Sequence, residues 1–307
     1  MSQMHVLVTG GAGFIGSHSV EALLADGAQV SVLDNFTSGK RANLPDHPRL
    51  KVINGDIRDT SAVDQALVGI THVLHLAAQV SVPASVTDPL GSSQHNISGF
   101  LKVLDGARRA KVSRFVYASS AAVYGAPEHL PLDETSTVAP LSPYGLEKSI
   151  NDQYAALYHA LYSLSSLGLR YFNVYGPRQD PSSAYAGVIS RFASAITKGD
   201  PLRVYGDGGQ TRDFIFVKDV ARLNLNALKN ATTGVCNIAT GHSVTLLELI
   251  GALAKCAART PAIEHAPPAM GDIRHSSASP RKMLEQLDPP AMTPLAEGLK
   301  QLLEYSA

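Results

Sequence analysis

The sequence predicts an α/β fold, a doubly wound parallel sheet joined to a smaller C-terminal lobe. Strand-like apolar runs alternate with helical patterns through the first half of the chain, which indicates right-handed βαβ units and a parallel sheet. A glycine-rich turn at residues 10–16 follows the first apolar run. From about residue 173 onward, Gly- and Pro-rich stretches separate shorter elements, which favours a second, loop-rich lobe.

The individual elements follow from runs of strand length and from apolar residues at helical spacing. The predicted strands cover residues 4–8, 29–33, 50–56, 72–78 and 114–120, and the predicted helices cover 17–26, 61–68, 93–110 and 144–162. Two later runs, 170–173 and 237–239, are also typical of strands, so we expect a strand near 235–240 to return to the sheet. We place the first domain at residues 1–172 and the second lobe at 173–307.

Composition fits a globular protein with no attraction to nucleic acid or to a membrane. Hydrophobic residues make up 45% of the 307 positions, and 26 basic residues balance 26 acidic ones. No apolar run approaches the ~18 residues of a spanning helix, and a strand begins too early for a signal peptide. The two cysteines, Cys236 and Cys256, provide neither a disulfide framework nor a metal cluster. We therefore expect a cytoplasmic protein that binds no metal, no nucleic acid and no membrane.

The turn at residues 10–16 is a candidate dinucleotide site. Gly10, Gly13 and Gly16 recur every three residues between a strand and a helix, where glycines permit a tight turn and close approach to a pyrophosphate. The helix N-terminus that follows favours phosphate. The next strand leads into Asp34, whose carboxylate can accept a hydrogen bond from a ribose hydroxyl. The alternative is a glycine-rich turn without a ligand.

Small or polar residues end several predicted strands, where a doubly wound sheet binds its ligands. Asp56 and Ile57 are candidates for the adenine edge, residues 77–79 for the floor of the cofactor site, and Ser119 and Ser120 for the nicotinamide. Each group can instead be an ordinary polar strand terminus.

Tyr144 and Lys148 are the candidate catalytic pair. Their spacing of four residues at the start of a helix places the phenol and the ammonium on one face. A nearby cation lowers the pKa of a phenol, and a shift of roughly three units makes it a base near neutral pH. Lys148 can also hold the nicotinamide ribose, and Ser120 can hydrogen-bond the same substrate oxygen as Tyr144. The alternative is an ordinary surface pair.

Four motifs in order carry a family resemblance. They are Gly-Gly-Ala-Gly-Phe-Ile-Gly at 10–16, Ser-Ser-Ala-Ala-Val-Tyr-Gly at 119–125, Tyr144-x-x-x-Lys148, and Arg-Tyr-Phe-Asn-Val-Tyr-Gly-Pro-Arg at 170–178. Over essentially its whole length the chain resembles an extended short-chain dehydrogenase/reductase of the nucleotide-sugar epimerase/dehydratase group. The resemblance implies a Rossmann domain that holds NAD permanently and a C-terminal lobe that binds a nucleoside diphosphate sugar.

The resemblance also separates the chemistries of the group. A 4,6-dehydratase carries Asp-Glu where this chain has Ala121-Ala122, and methyl groups cannot transfer protons. C4 epimerisation through a 4-keto sugar needs only Tyr144 as base, Ser120 as proton partner and Lys148 to tune the base. A nucleotide-sugar decarboxylase or reductase is an alternative, and so is a catalytically silent NAD-binding regulator, although a regulator need not keep all three residues.

The resemblance assigns both ligand sites residue by residue. The implied cofactor contacts are Gly10, Gly13, Phe14, Ile15, Gly16, Asp34, Asn35, Asp56, Ile57, Leu76, Ala77, Ala78, Gln79, Tyr144, Lys148 and Tyr171. The implied substrate contacts are Ser120, Asn173, Gln179, Gly187, Val188, Phe192, Arg203, Tyr205, Arg212, Asp272, Arg274 and Ser276. Arg212 and Asn173 match residues that reach the diphosphate, and residues 178–181 and 184–188 resemble the subgroup acting on UDP-N-acetylhexosamines.

Three further features follow from the same resemblance. Ala269 stands where the family usually has a diphosphate-binding arginine, and Arg274 is the candidate to compensate for its loss. Val80 stands where glucose/galactose epimerases carry a lysine. Ser276 lies where enzymes restricted to UDP-glucose and UDP-galactose carry tyrosine, so it predicts room for an N-acetyl group. Surplus apolar residues on the helices at 93–110 and 144–162, including Tyr154, Tyr158 and Leu161, favour a homodimer through a four-helix bundle.

Overall fold

A computed structural model describes residues 4–180, 187–267, 273–289 and 291–306. Its strands are β1 (His5–Thr9), β2 (Gln29–Asp34), β3 (Leu50–Asn54), β4 (His72–His75), β5 (Arg114–Ser120), β6 (Ser166–Tyr171), β7 (Asn173–Tyr175), β8 (Leu202–Tyr205), β9 (Thr211–Phe216), β10 (Gly234–Ile238), β11 (Ser243–Thr245) and β12 (Ile263–Ala266). Seven of them form one sheet in the order β10-β6-β5-β4-β1-β2-β3, with every pair parallel. The predicted doubly wound parallel sheet is confirmed.

Helices cover both faces of this sheet. The helices of the described residues are α1 (Phe14–Ala25), α2 (Thr60–Ala66), α3 (Val82–Thr87), α4 (Pro89–Ser93), α5 (Phe100–Arg109), α6 (Pro143–Tyr162), α7 (Val188–Lys198), α8 (Val217–Lys229), α9 (Leu246–Ala257), α10 (Arg281–Leu287) and α11 (Leu295–Ser306), of which α7, α9 and α11 belong to the second lobe. No helix within the described ranges combines the length and apolarity needed to cross a membrane.

The first strand shows why the sequence pattern is apolar throughout. Val6 and Val8 pack in a core with α1 and α8, whereas Leu7 packs on the opposite face with α2 and α5. All three side chains are fully buried, because a parallel sheet covered on both faces leaves neither side to water.

The strand order reverses at β1, which lies between β2 and β4. The connections from β1 and β4 therefore leave the sheet in opposite directions and open a crevice at the carboxyl ends of these strands. This crevice is where the candidate cofactor residues of the first domain come together.

Two predicted strands and one predicted helix differ from the structure. β3 and β4 end at Asn54 and His75, so residues 55–56 and 76–78 lie in the connections that border the crevice. The helix predicted at 93–110 is α4, then a π-helical segment (Gln94–Gly99), then α5. Such π-helical insertions commonly mark functional positions, and this one turns the buried Asn96 side chain towards Gln79.

The second lobe has its own core. A three-stranded sheet, β11-β9-β7, and a two-stranded sheet, β12-β8, pack with α7, α9 and α11 around buried aliphatic and aromatic side chains. α8 and β10 also follow residue 172 in the sequence, yet they pack in the core of the large sheet. The proposed boundary at residue 172 therefore places α8 and β10 in the second lobe by sequence, although both elements pack with the first domain.

Candidate active site

The glycine turn between β1 and α1 is shaped for close backbone approach. Gly10 has φ of +68°, and a Cβ there would lie 2.7 Å from Ala77 N; a Cβ on Gly16 would lie 2.1 Å from Gly10 O. Neither position tolerates a larger residue without a shift of the backbone. Among the described residues, no side chain caps the N-terminus of α1 at Gly13, so its first N–H groups, including those of Phe14 and Ile15, suit a phosphate. The turn therefore fits the pyrophosphate of a dinucleotide.

Asp34, at the end of β2, is held in a fixed orientation. One carboxylate oxygen accepts from Ala12 N at 2.9 Å and the other from Phe36 N at 2.8 Å. The residue is only 7% exposed, and each oxygen keeps further acceptor capacity. The carboxylate is thus placed beside the glycine turn, where a ribose would lie.

The adenine-side candidates form a small polar cluster. Asp56 accepts from Asn35 Nδ2 at 2.9 Å and from the Arg58 guanidinium at 2.9 and 2.8 Å. The hydrogen bonds from Arg58 lower the pKa of Asp56 far below its usual range, so this carboxylate is ionised. The neighbouring Ile57 is buried, and its side chain fills the space beside Gly99.

The segment after β4 crosses over the glycine turn. Leu76 N donates to Thr9 O at 3.1 Å, and Ala77 N lies 3.3 Å from Thr9 Oγ1. Two residues further on, the backbone N–H and C=O of Gln79 both bond to the side-chain amide of Asn96, at 2.9 and 2.8 Å. Residues 76–79, with Ala78 among them, therefore line the crevice next to the dinucleotide site.

Tyr171, an implied cofactor contact, has its side chain in the core. Its hydroxyl donates to Asn224 Oδ1 at 2.7 Å, and its ring packs in the core between the sheet and α8. The side chain therefore points away from the crevice, and only the backbone of Tyr171 is available to a cofactor there. The run of apolar residues in β6 could not distinguish these two faces.

Ser120, Tyr144 and Lys148 come together at the carboxyl end of β5. Pro143 at the first turn and Ser142, whose Oγ accepts from Gly145 N at 3.1 Å, begin α6 at this place. The phenol of Tyr144 faces the hydroxyl of Ser120. The Lys148 Nζ lies 5.8 Å from the Tyr144 ring centre and donates to Ala118 O at 2.9 Å. The arrangement can pass a proton between a substrate oxygen, Ser120 and Tyr144.

The lowered phenol pKa that the sequence suggested is not found. Burial raises the pKa of Tyr144, the nearby Ser120 hydroxyl lowers it, and the charge of Glu147 raises it. Burial also lowers the pKa of Lys148 to about 8, against the opposing effects of Asp152 and Glu147. Because the ammonium bonds to a backbone carbonyl rather than to the phenol, its effect on Tyr144 is weaker than the spacing implied.

Sequence reasoning missed several buried polar residues around this pair. Ser85 accepts from Tyr144 N at 3.1 Å, which attaches the start of α6 to α3. Glu147 accepts from Asn96 Nδ2 at 2.7 Å, and Asp152 pairs with Arg170 at 3.1 Å. Of these residues, only Asp152 could be identified from the sequence, because it follows Lys148 by one helical turn. The other contacts join segments that are far apart in sequence.

The two diphosphate candidates lie on neighbouring strands, Asn173 on β7 and Arg212 on β9. Asn173 Nδ2 donates to Asp213 O at 3.0 Å, and Asn173 is paired in register with Phe214. Arg212 is half-buried and donates to Thr211 O at 2.8 Å. These strands bring both predicted residues to the same part of the second lobe.

The candidates around α7 divide into two groups. Gln179 lies against Gly187, the residue before α7, where a Cβ would be 3.1 Å from Gln179 Nε2; Val188 begins the helix. Phe192 is only 4% exposed and packs in the core of the second lobe. The substrate contact that the resemblance implies for Phe192 therefore stays a prediction, and in the structure the ring contributes to packing.

Arg203 and Tyr205 lie together on β8, with the guanidinium 5.4 Å from the ring centre. Arg274, the candidate to compensate for Ala269, is held by Asp207 through two contacts of 2.7 Å. Its guanidinium therefore already has a carboxylate partner. Asp272 and Ala269 lie outside the described residues.

Ser276 is placed beside the diphosphate candidates. Its N–H donates to Thr211 O at 3.2 Å, and Thr211 N donates to Arg274 O at 3.0 Å. Ser276 is half-buried, next in sequence to His275, which bridges to Thr211. The predicted gate residue is thus fixed by backbone bonds to the strand that carries Arg212.

Comparison with known proteins decides the family. Residues 6–239 match the family model described as the NAD dependent epimerase/dehydratase family. The chain belongs to this family. Membership confirms the predicted cofactor, NAD, for which the glycine turn and Asp34 are suited.

Relatives within the NAD-dependent epimerase/dehydratase family extend over the whole chain. A UDP-glucose 4-epimerase from Mycolicibacterium smegmatis is 37% identical over 313 residues, covering 98% of each chain. A UDP-N-acetylglucosamine 4-epimerase from Methanobrevibacter ruminantium M1, solved with UDP-N-acetylmuramic acid, gives a TM-score of 0.96 at 38% identity, covering 99% of this chain and 98% of that one. A UDP-glucose 4-epimerase from Thermus thermophilus, solved with NAD, gives 0.91 at 40% identity, covering 99% of each.

Proposed function

We propose that this enzyme interconverts the C4 epimers of UDP-N-acetylhexosamines, UDP-GlcNAc and UDP-GalNAc. The coarser activity is that of an NAD-dependent UDP-sugar 4-epimerase, as in the full-length relatives. The preference for N-acetylated sugars is carried by one observation: a serine, Ser276, is fixed beside Arg212 by the backbone bond to Thr211. A small residue at this place leaves volume for an acetamido group.

The catalytic step is assigned to Tyr144 and Ser120. Tyr144 takes the proton from the 4-hydroxyl, directly or through the neighbouring Ser120 hydroxyl. Bound NAD would supply the hydride acceptor for C4 and, once reduced, the hydride donor. After the sugar has turned over, Tyr144 gives the proton back to the oxygen on the other face, so no proton is gained or lost overall.

Lys148 and the second lobe position the reactants. A buried ammonium fixed by Ala118 O can hold a ribose hydroxyl beside the phenol of Tyr144. Arg212 and Asn173 are assigned to the diphosphate, where a guanidinium can bind phosphate oxygens with two parallel hydrogen bonds. Holding the diphosphate while leaving the sugar free to rotate is what epimerisation at C4 requires.

The substrate assignment is tested by incubating the purified enzyme with UDP-GlcNAc and with UDP-glucose in separate samples. NMR of the sugar C4 proton then reports each epimer. We expect both to react and UDP-GlcNAc to react faster. Exclusive reaction of UDP-glucose would contradict the N-acetyl preference, and loss of carbon dioxide or net reduction would favour the decarboxylase or reductase alternatives. No reaction at all would favour a silent regulator.

We expect the enzyme to purify with NAD bound and to need no added cofactor, because the hydrogen taken from C4 is returned within one turnover. Denaturing the protein and assaying the supernatant for NAD and NADP measures this. Asp34 favours NAD, since its carboxylate, fixed by Ala12 N and Phe36 N, repels a 2′-phosphate. NADP in the supernatant, or activity that depends on added cofactor, would contradict this expectation.

We expect Asp207→Asn to lower the KM for UDP-sugars modestly, by up to about five-fold, because exposed ion pairs are weak. The change removes the carboxylate that holds Arg274, which frees the guanidinium for a diphosphate. Asparagine keeps an acceptor for Gly209 N, which Asp207 now binds at 2.9 Å. Asp207→Glu is the matched control and should keep the wild-type KM. A higher KM in Asp207→Asn would show that the ion pair of Arg274 only stabilises the segment that carries it.

A homodimer remains part of the proposal. Large apolar side chains stay exposed along α6, including Leu146, Leu157, Leu161 and Tyr162. Among the described residues, α5 adds no large exposed apolar side chain; Val86 and Leu90, from α3 and α4, lie exposed instead. These surfaces support a helical contact between two copies, with α3 and α4 rather than α5 beside α6.

A further inference from the structure

Ser276 belongs to a segment that is bonded to both lobes. We call residues 276–279 the gate segment. Ser276 N donates to Thr211 O at 3.2 Å, which attaches the start of the gate segment to β9 of the second lobe. The rest of the segment pairs in parallel with Leu132 of the first domain, whose N–H donates to it at 2.9 Å and whose C=O accepts from it at 2.7 Å. The groups that hold Leu132 therefore help to set the position of Ser276.

Two buried polar side chains hold Leu132. Asn237 on β10 donates from Nδ2 to Leu132 O at 3.3 Å, and its Oδ1 accepts from Tyr124 OH at 2.7 Å. Asn237 is fully buried, and Tyr124 is only 2% exposed. Leu132 and Tyr124 also pack in one apolar cluster with Ala278 of the gate segment. We call Tyr124, Asn237 and Leu132 the tether, since they connect the gate segment to the large sheet.

Arg170, on β6, fixes the direction of the hydrogen bonds in the tether. Its Nη1 donates to Tyr124 OH at 2.9 Å. Because a guanidinium can only donate, the Tyr124 oxygen accepts here and its proton points to Asn237 Oδ1. The amide of Asn237 is thereby turned with its Nδ2 towards Leu132 O. All three side chains are buried and hydrogen-bonded, so the network specifies one arrangement of this part of the fold.

The tether begins next to the catalytic serine. Ser120 precedes a short 3₁₀ helix (Ala121–Tyr124), and its Oγ accepts from Ala122 N at 3.1 Å. Tyr124 is the last residue of this helix. A short path of buried hydrogen bonds therefore runs from the helix that Ser120 caps to the gate segment that carries Ser276.

We propose that Tyr124 and Asn237 are positioning residues that determine sugar specificity, because they hold the gate segment at a fixed place relative to Ser120. Through Ser276 they keep the space and the hydroxyl that an acetamido group requires. The inference rests on the proposed function, since it concerns the same sugar site. It deepens that function by naming two buried residues outside the assigned substrate contacts that set the preference for N-acetylated sugars.

Tyr124→Phe tests the tether by removing one oxygen atom. The ring keeps its place in the apolar cluster, but the amide of Asn237 loses the donor that orients it, so Leu132 and the gate segment are held less firmly. We expect the KM for UDP-GlcNAc to rise about two- to ten-fold, the order of one hydrogen bond, with kcat unchanged. The KM for UDP-glucose, which has no acetamido group, should stay at the wild-type value. A purely structural role would lower the activity on both sugars together.

Tyr175→Phe is the matched control. Tyr175 is as buried as Tyr124, but its hydroxyl donates to Leu295 O at 3.3 Å in the core of the second lobe. Losing this hydroxyl should lower the melting temperature without changing the ratio of the two KM values. A control that changes the ratio as much as Tyr124→Phe does would overturn the proposal.

Asn237→Ser breaks the tether at its next link and replaces Tyr124→Phe if that variant does not fold. It should raise the KM for UDP-GlcNAc in the same way. Where both variants fold, the double variant should be no worse than the more affected single one, because both substitutions interrupt a single path. Effects that multiply in the double variant would show two independent residues and would contradict the tether.

Two further readouts need no turnover. Calorimetry gives the affinities for UDP-GlcNAc and UDP-glucose, and hydrogen exchange of peptides covering residues 276–279 reports how firmly the gate segment is held. In Tyr124→Phe we expect weaker binding of UDP-GlcNAc alone and faster exchange in these peptides. An equal loss of affinity for both sugars, or unchanged exchange in a folded variant, would overturn the proposal. A wild type that epimerises neither sugar would contradict the proposed function instead, and affinity and exchange would still test the tether.

Discussion

Replacing Tyr144 with phenylalanine should lower the epimerisation rate by about 100- to 10,000-fold, the usual cost of removing a general base. The change deletes the hydroxyl that faces Ser120 and keeps the ring in its half-buried place. The backbone bond from Tyr144 N to Ser85 Oγ is unaffected. We therefore expect UDP-sugar affinity, measured by calorimetry, to survive while turnover is lost.

Tyr158→Phe is the matched control, since it removes a hydroxyl from the same helix away from Lys148. Its ring packs against Tyr162 with centroids 5.1 Å apart, and this contact needs no hydroxyl. The control should epimerise at the wild-type rate. More than half of the wild-type rate in Tyr144→Phe would show that another group accepts the proton.

Ser276→Tyr should convert the enzyme towards UDP-glucose. A tyrosine ring beside Thr211 occupies the volume that an acetamido group needs, so we expect kcat/KM for UDP-GlcNAc to fall by about 10- to 200-fold, or about 1–3 kcal/mol. The smaller UDP-glucose should lose little. Side-by-side kinetics on the two substrates measure the difference.

Ser276→Ala separates volume from hydrogen bonding, because it keeps the space and removes the hydroxyl. If the hydroxyl binds the acetamide, kcat/KM for UDP-GlcNAc should fall modestly, by about 1 kcal/mol, with UDP-glucose unchanged. A parallel fall of both activities in Ser276→Tyr, or no change in either, would remove the support for Ser276 as the gate.

The features that were predictable from sequence are local ones. The glycine turn, the strand before it and Asp34 at the end of the next strand each follow from neighbouring residues. The i, i+4 spacing of Tyr144 and Lys148 likewise follows from the geometry of one helix. These parts of the fold and the candidate site need no knowledge of which segments pack together.

The features that were missed depend on contacts between distant segments. The π-helical insertion directs Asn96 towards Gln79 and Glu147, which are distant from it in sequence, so no local pattern predicts it. The raised pKa of Tyr144 depends on burial, which spacing cannot report. Tyr171 could be assigned to the core only after α8, over 40 residues later in sequence, was placed against it.

The return of β10 to the large sheet has a consequence for biosynthesis. β6 is complete at Tyr171, but its outer edge stays unpaired until the chain has been made as far as Ile238. Unpaired strand edges favour association with other chains. During translation the nascent first domain therefore exposes an open edge while the second lobe is being synthesised, and fragments that end near residue 172 carry that edge permanently.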